Sequence, residues 1–163
     1  MSIRILATGG TIDKIHDPIT ESLIFTDRSH IADMVSVFNV PNLKFSLMML
    51  KDSFDITNND RESILSSVQK STEDKIVITH GTSTMVETAK FLANHVIDKT
   101  IVLTGAMRPY SLFQSDSEFN LGCAITAVQT IGNGVYITMN GQVFDHDNVR
   151  KDTKTGTFEK TTA

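Results

Sequence analysis

Four short clusters in this 163-residue chain are rich in hydroxyls and glycines. They are Thr8-Gly9-Gly10-Thr11, the serine of Lys51-Asp52-Ser53, His80-Gly81-Thr82-Ser83-Thr84 and Thr104-Gly105-Ala106. Each follows an apolar run. The chemistry such groups support is attack by a hydroxyl on a carbonyl carbon. Thr11 stands just beyond paired glycines, which tolerate positive φ and let a ligand approach the backbone closely, so Thr11 reads as the nucleophile. A threonine hydroxyl needs a base to take its proton. Histidine is a poor fit, because His80 is the one imidazole in these clusters and a Ser-His-Asp arrangement needs an oriented base. A lysine can serve if burial lowers its pKa. The region considered is Val149-Arg150-Lys151, past the last strand, although residue types alone do not single out one base among 15 Lys and Arg.

Other chemistries fit less well. The histidines, His16, His30, His80, His95 and His146, show no metal-ligand spacing, and no metal or organic cofactor is expected. The glycines spell neither the dinucleotide fingerprint nor a P-loop, which weakens a nucleotide- or flavin-binding reading. A glycine turn before a helix can still cradle an anion through its amides, a substrate carboxylate included.

These clusters must be positioned by the elements before them. Ile3–Ala7, Leu43–Leu50, Lys75–Thr79, Lys99–Thr104 and Gly134–Met139 read as strands. Helices are expected over Ser29–Phe38, Asn58–Gln69, Met85–Val96 and Ser115–Thr130, from apolar residues three and four apart. Asp27 or Ser29 is the expected cap of the first, and Asn59/Glu62 and Ser115/Glu118 have capping-box spacing. Asn140-Gly141 marks a hairpin returning through Gln142-Val143-Phe144. Asp13–Asp27 reads as a loop, or a short hairpin around Ser22–Thr26, that could act as a lid. Asp145–Ala163 reads as a polar tail without a packing face. The alternation predicts one α/β domain over 1–163, a doubly wound, mostly parallel, three-layer sheet of Rossmann or flavodoxin type. Parallel strands bring the four clusters to one edge, where open sheets bind ligands.

Composition fits this picture. Hydrophobic residues are 40%, charged residues 21%, and the net charge is -4, which offers no electrostatic case for nucleic acid or anionic membrane. No apolar run has transmembrane length, and no basic-then-apolar leader precedes the first strand. Cys123 excludes an internal disulfide and reads as a small core residue. A cytoplasmic location is the expectation.

Taken together, the motifs resemble the asparaginase family, the threonine amidohydrolases of bacterial type. The residues that carry the resemblance are ATGGTID (Ala7–Asp13), DSFDIT (Asp52–Thr57), VITHGTSTMVETA (Val77–Ala89), LTGAMRP (Leu103–Pro109), SDSEFNL (Ser115–Leu121), MNGQVFD (Met139–Asp145) and Val149-Arg150-Lys151. They follow the family's order over nearly the whole chain, which looks like the family's N-terminal domain. The resemblance implies an asparaginase fold and hydrolysis of asparagine or a related small carboxamide, through an acyl-threonine, to the acid and ammonia. It implies that Thr11 is the acylated nucleophile, Thr82 the second catalytic threonine and Lys151 its lysine partner. Ser53 and Gly81 would hold the substrate's α-carboxylate, and Ala106 would contact the carboxamide through its backbone. A homo-oligomer, dimer or tetramer, is also implied, because family sites are often completed by a neighbour.

Three positions depart from the family pattern. Ser83 replaces the aspartate that holds the substrate's ammonium, Phe54 replaces a polar contact residue, and 13–27 contains no tyrosine. Losing one partner of a desolvated charge contact costs about 2–5 kcal/mol. Glu87 and Asp116 are acidic residues that could replace the charge, although Glu87 also reads as a surface residue facing its helix dipole. Two readings follow: an amidohydrolase with altered demands on its substrate, or a weakened relative that binds a small carboxylate.

Overall fold

The computed structural model describes residues 1–162. Its strands are β1 (Ile3–Gly9), β2 (Lys14–Asp17), β3 (Ser22–Phe25), β4 (Leu43–Lys51), β5 (Lys75–Thr79), β6 (Thr100–Thr104), β7 (Gly134–Met139), β8 (Gln142–Asp145), β9 (Arg150–Lys151) and β10 (Phe158–Glu159). The helices are α1 (Ile31–Phe38), α2 (Asn58–Lys70), α3 (Met85–Ala93) and α4 (Ser117–Thr130).

The main sheet runs β4-β1-β5-β6-β7-β8. The first five strands are parallel, and β8 returns antiparallel to β7. Alternate side chains of each strand enter two separate cores. Leu6, Ile76, Ile78, Ile101 and Leu103 pack with α2 and α3. Ile3, Ile5, Ala7, Val77 and Val102 pack with α1 and α4. Burial on both faces explains why these strands are continuous apolar runs rather than alternating ones. The expected three-layer α/β fold is therefore present. The chain after β1 moves outward to β4, then crosses to β5, so the helices following β1 and β5 lie on opposite faces. That switch point opens a crevice at the carboxyl ends of the two strands.

Several local expectations need correction. Of the two expectations for 13–27 the hairpin is the one present, and it is longer than Ser22–Thr26: β2 pairs antiparallel with β3 over 14–25. The capping box of α2 is Thr57 with Asp60, not Asn59 with Glu62. α4 starts after Asp116 with no side-chain cap, although the Ser115 hydroxyl accepts from the Ser117 amide at 3.1 Å. The cap residue of α1 is His30, and α3 ends at Ala93, three residues early. Cys123 is half-buried rather than in the core.

The largest correction concerns the tail. Val149 and Phe158 are each 2% exposed and join the core beneath α3. Burying two such side chains contributes roughly 1.5–3 kcal/mol each. Phe158 is held further by β9–β10 pairing and by its amide donating to Asn140 Oδ1 at 3.0 Å. The segment therefore has a packing face and is anchored at both ends of a small hairpin, with Lys151 on its first strand.

Candidate active site

The site begins with two glycines. Gly9 and Gly10 have φ of +96° and +84°, a region that strains any residue with a Cβ. Space forbids a Cβ as well. One on Gly9 would lie 2.5 Å from the Lys51 amide nitrogen, and one on Gly10 would lie 2.5 Å from that of Gly81. A Cβ on Gly81 would meet Ser53 Cβ at 2.6 Å. The ends of β1, β4 and β5 therefore touch backbone to backbone, and this contact gathers Thr11, Ser53 and Thr82 at one edge. Thr11 opens a single 3-10 turn, Thr11–Asp13, and is half-exposed. Ser53 is 2% exposed in a second such turn, Ser53–Asp55, whose amide end is capped by Asp52.

Thr82 and Lys151, 69 residues apart in sequence, meet directly: Lys151 Nζ donates to Thr82 Oγ1 at 2.8 Å. Burial pushes the Lys151 ammonium below its usual range, because a charged amine is penalised away from water. The Thr82 hydroxyl also lies 3.6 Å from Met107 Sδ. The pair can pass a proton between hydroxyl and amine when Lys151 is neutral. Ser53's carbonyl accepts from Thr84 Oγ1 at 2.7 Å, which ties the second hydroxyl cluster to the turn after β4.

His80 does structural work that its sequence context did not signal. It is fully buried. Nδ1 donates to the Gly81 carbonyl at 2.7 Å, and Nε2 accepts from Thr88 Oγ1 at 2.9 Å. Thr88 in turn accepts from Arg61 Nε at 3.2 Å. Burial holds His80 near pKa 4, so the ring is neutral at pH 7. The relay fixes the peptide that precedes Thr82. The one hint in sequence was an arginine, Arg61, on the apolar side of α2.

Ala106 is buried after β6, and the loop around it is pinned from α4. Asp116 accepts from the amides of Met107 and Arg108 at about 3.0 Å, and Asn120 Nδ2 donates to the Gly105 carbonyl at 3.0 Å. Asp116 is therefore already engaged. Glu87 is engaged too, in an ion pair with Arg61 at 3.1 Å. Glu87, with its side chain 68% exposed, also lines the cavity that Ser83 borders. Ser83 is exposed and lines a cavity of about 530 Å³ with Phe54, Val86, Val149 and Lys151. Among the described residues, no group of three or more His, Cys, Asp or Glu could hold a metal ion, and no helix is long and apolar enough to cross a membrane.

Comparison with known proteins adds the family. The family model described as Asparaginase, N-terminal matches residues 2–161. L-asparaginase 2 of Escherichia coli (strain K12) is 34% identical over 164 residues, covering 94% of this chain and 47% of that protein. The probable periplasmic L-asparaginase of Haemophilus influenzae is 32% identical, covering 94% and 47%. The crystal structure of L-asparaginase I from Vibrio cholerae superposes with a TM-score of 0.84 at 26% identity, over 98% of this chain and 51% of that one. The chain spans about half the length of the curated relatives it matches. On its motifs, its sheet order and these matches, the chain belongs to the asparaginase family, in its N-terminal domain.

Proposed function

We propose that this chain carries the threonine–lysine site of an asparaginase-type amidohydrolase, hydrolysing asparagine or a related small carboxamide to the acid and ammonia. The observation that carries the reading is the 2.8 Å contact between a desolvated Lys151 and Thr82, at the same sheet edge as Thr11. Thr11 Oγ1 attacks the amide carbon. Its proton passes by way of Thr82 and Lys151 to the departing nitrogen, the C–N bond breaks, and ammonia leaves. Water then hydrolyses the acyl-threonine ester. Ser53 and the Gly81 amide hold the α-carboxylate, Ser83 faces the rest of the substrate, and the backbone at Ala106 contacts the carboxamide. A well-placed donor to the oxyanion contributes roughly 3 kcal/mol. Residues 1–163 act as one α/β domain, with the 145–163 tail supplying the lysine.

Ammonia release from asparagine tests this reading. Thr11→Ala and Lys151→Ala should each lower kcat about a thousandfold or more, and equal turnover by wild type and Thr11→Ala would refute it. Ser83→Asp should tighten asparagine binding by roughly 2 kcal/mol, about thirtyfold, by restoring a carboxylate beside the ammonium. An unchanged KM would remove Ser83 from the substrate's surroundings.

Assembly and location extend the proposal. The catalytic edge carries Phe54 at 80% and Phe113 at 87% exposure, apolar surface suited to a homo-oligomeric contact, and light scattering would report a dimer or tetramer. A cytoplasmic location is proposed from the single cysteine, and cell fractionation tests it against the periplasm named for the Haemophilus relative.

A further inference from the structure

Asp13 is fully buried two residues after Thr11, yet the catalytic scheme does not use it. Its amide donates to the Gly10 carbonyl at 3.1 Å, which closes the turn that presents Thr11. Its carboxylate reaches across a long sequence gap. Oδ1 accepts from Ser29 Oγ and from the His30 amide, both at 2.7 Å. No ion pair to Asp13 exists among the described residues, and Oδ2 has no hydrogen-bond partner. A carboxylate buried without a cation is costly, so what this one does locally is informative.

Everything between Asp13 and Ser29 is the β2–β3 hairpin with its flanks. The hairpin leaves the domain at Lys14 and returns just before Ser29, so both feet meet at one carboxylate. Its other tethers are few. Lys14 pairs with Asp52, next to Ser53, and the Lys14 carbonyl accepts from Ser111 Oγ at 3.0 Å. The distal part is open to solvent, with Ile19 90%, Leu23 39% and Ile24 38% exposed.

We propose that Asp13 is a positioning residue that locks the nucleophile's turn to both feet of the hairpin, so that the orientation of Thr11 and the anchoring of the hairpin are one coupled property. The part concerning Thr11 rests on the amidohydrolase reading above, whereas the anchoring does not. When the clasp is lost, the hairpin hinges freely and the Thr11 turn loses its outer support. Carboxylate binding at Ser53 and Gly81, which rests on the backbone contact at the ends of β4 and β5 and not on the Asp13 carboxylate, stays in place.

Hydrogen–deuterium exchange on the full chain, alongside steady-state kinetics with asparagine, tests this in Asp13→Ala, Asp13→Asn and Ser29→Ala. In Asp13→Ala, amides of 14–25 should exchange about tenfold faster while those of β1, β5 and β6 keep their protection. The kcat should fall about a hundredfold with KM within about threefold, the pattern of a misplaced nucleophile. Asp13→Asn keeps an oxygen that accepts from Ser29 and His30, so it should restore most of both properties. Ser29→Ala removes one of two donors and should fall between, which decides the matter if Asp13→Ala does not fold. Unchanged hairpin exchange in Ser29→Ala and in Asp13→Ala where that folds, equal losses in the Asn and Ala variants, or a loss confined to KM would overturn the proposal. Absence of turnover in the wild type would instead refute the amidohydrolase reading and leave the exchange arm to judge the clasp.

Discussion

At the end of β5, Thr82 is buried, its hydroxyl is met by Lys151, and the peptide before it is held by the relay from His80 through Thr88 to Arg61. At the end of β1, Thr11 is half-exposed on a three-residue turn that leads into a hairpin with solvent-exposed apolar residues. Both threonines sit at the same sheet edge, yet one is embedded and the other borders a solvent-exposed hairpin. The difference suits their proposed tasks. A proton relay works over hydrogen-bond distances and gains from a rigid, dry setting. A nucleophile must admit a substrate and then be covered, which asks for an adjacent segment of low local stability.

The junction between the two regions is the most fragile point. Gly10→Ala would place a methyl 2.5 Å from the Gly81 nitrogen at a φ of +84°. It should destabilise the fold by about 3 kcal/mol or more, because strain and a backbone overlap add. Urea unfolding measures this, and a loss under about 1 kcal/mol would mean that the two strand ends can part cheaply.

The embedded region should betray itself in acid. His80 takes a proton in the unfolded chain near pH 6.5 but in the folded chain only near pH 4. As pH falls through that window the unfolded state binds the proton first, so stability drops by roughly 3 kcal/mol across it and is level above it. Urea midpoints between pH 7 and pH 4 report the slope, and His80→Gln should flatten it. A slope unaffected by that substitution would assign acid sensitivity elsewhere.

The smallest effect is expected at the exposed hairpin. Lys14→Met removes the pair with Asp52, whose carboxyl that lysine holds below the usual range. With Asp52 partly exposed, the pair contributes at most about 1 kcal/mol. Hairpin amides should exchange a fewfold faster while the unfolding midpoint barely moves. A large shift in that midpoint would show that the hairpin belongs to the rigid part of the domain.

Much of this arrangement was legible in the residues, and the reasons are local. The strands buried on both faces announce themselves as continuous apolar runs, so β5, β6 and β7 were located within a residue of their observed bounds. Thr11, Ser53 and Thr82 follow such runs directly, and parallel strands leave little choice about which edge they share. The hairpin over 14–25 was harder to see, because its strands are four residues each and mostly exposed, so alternation had little to act on. The packing of the tail depends on two isolated residues, Val149 and Phe158, and no period in the sequence reveals them. The contacts of Asp13 and His80 were invisible for another reason: their partners, Ser29 and Thr88, lie 16 and 8 residues away, beyond any local pattern.

What the amino-acid order determined alone is the layered sheet, the glycine turns and the identity of the hydroxyls at its edge, since apolar runs and positive-φ glycines act within a few residues. What only the folded chain decided is which cation reaches Thr82, which acids are paired, and how the Thr11 turn is tied to the residues after the hairpin. Those depend on contacts between residues far apart in sequence, set by packing across layers rather than by any local preference.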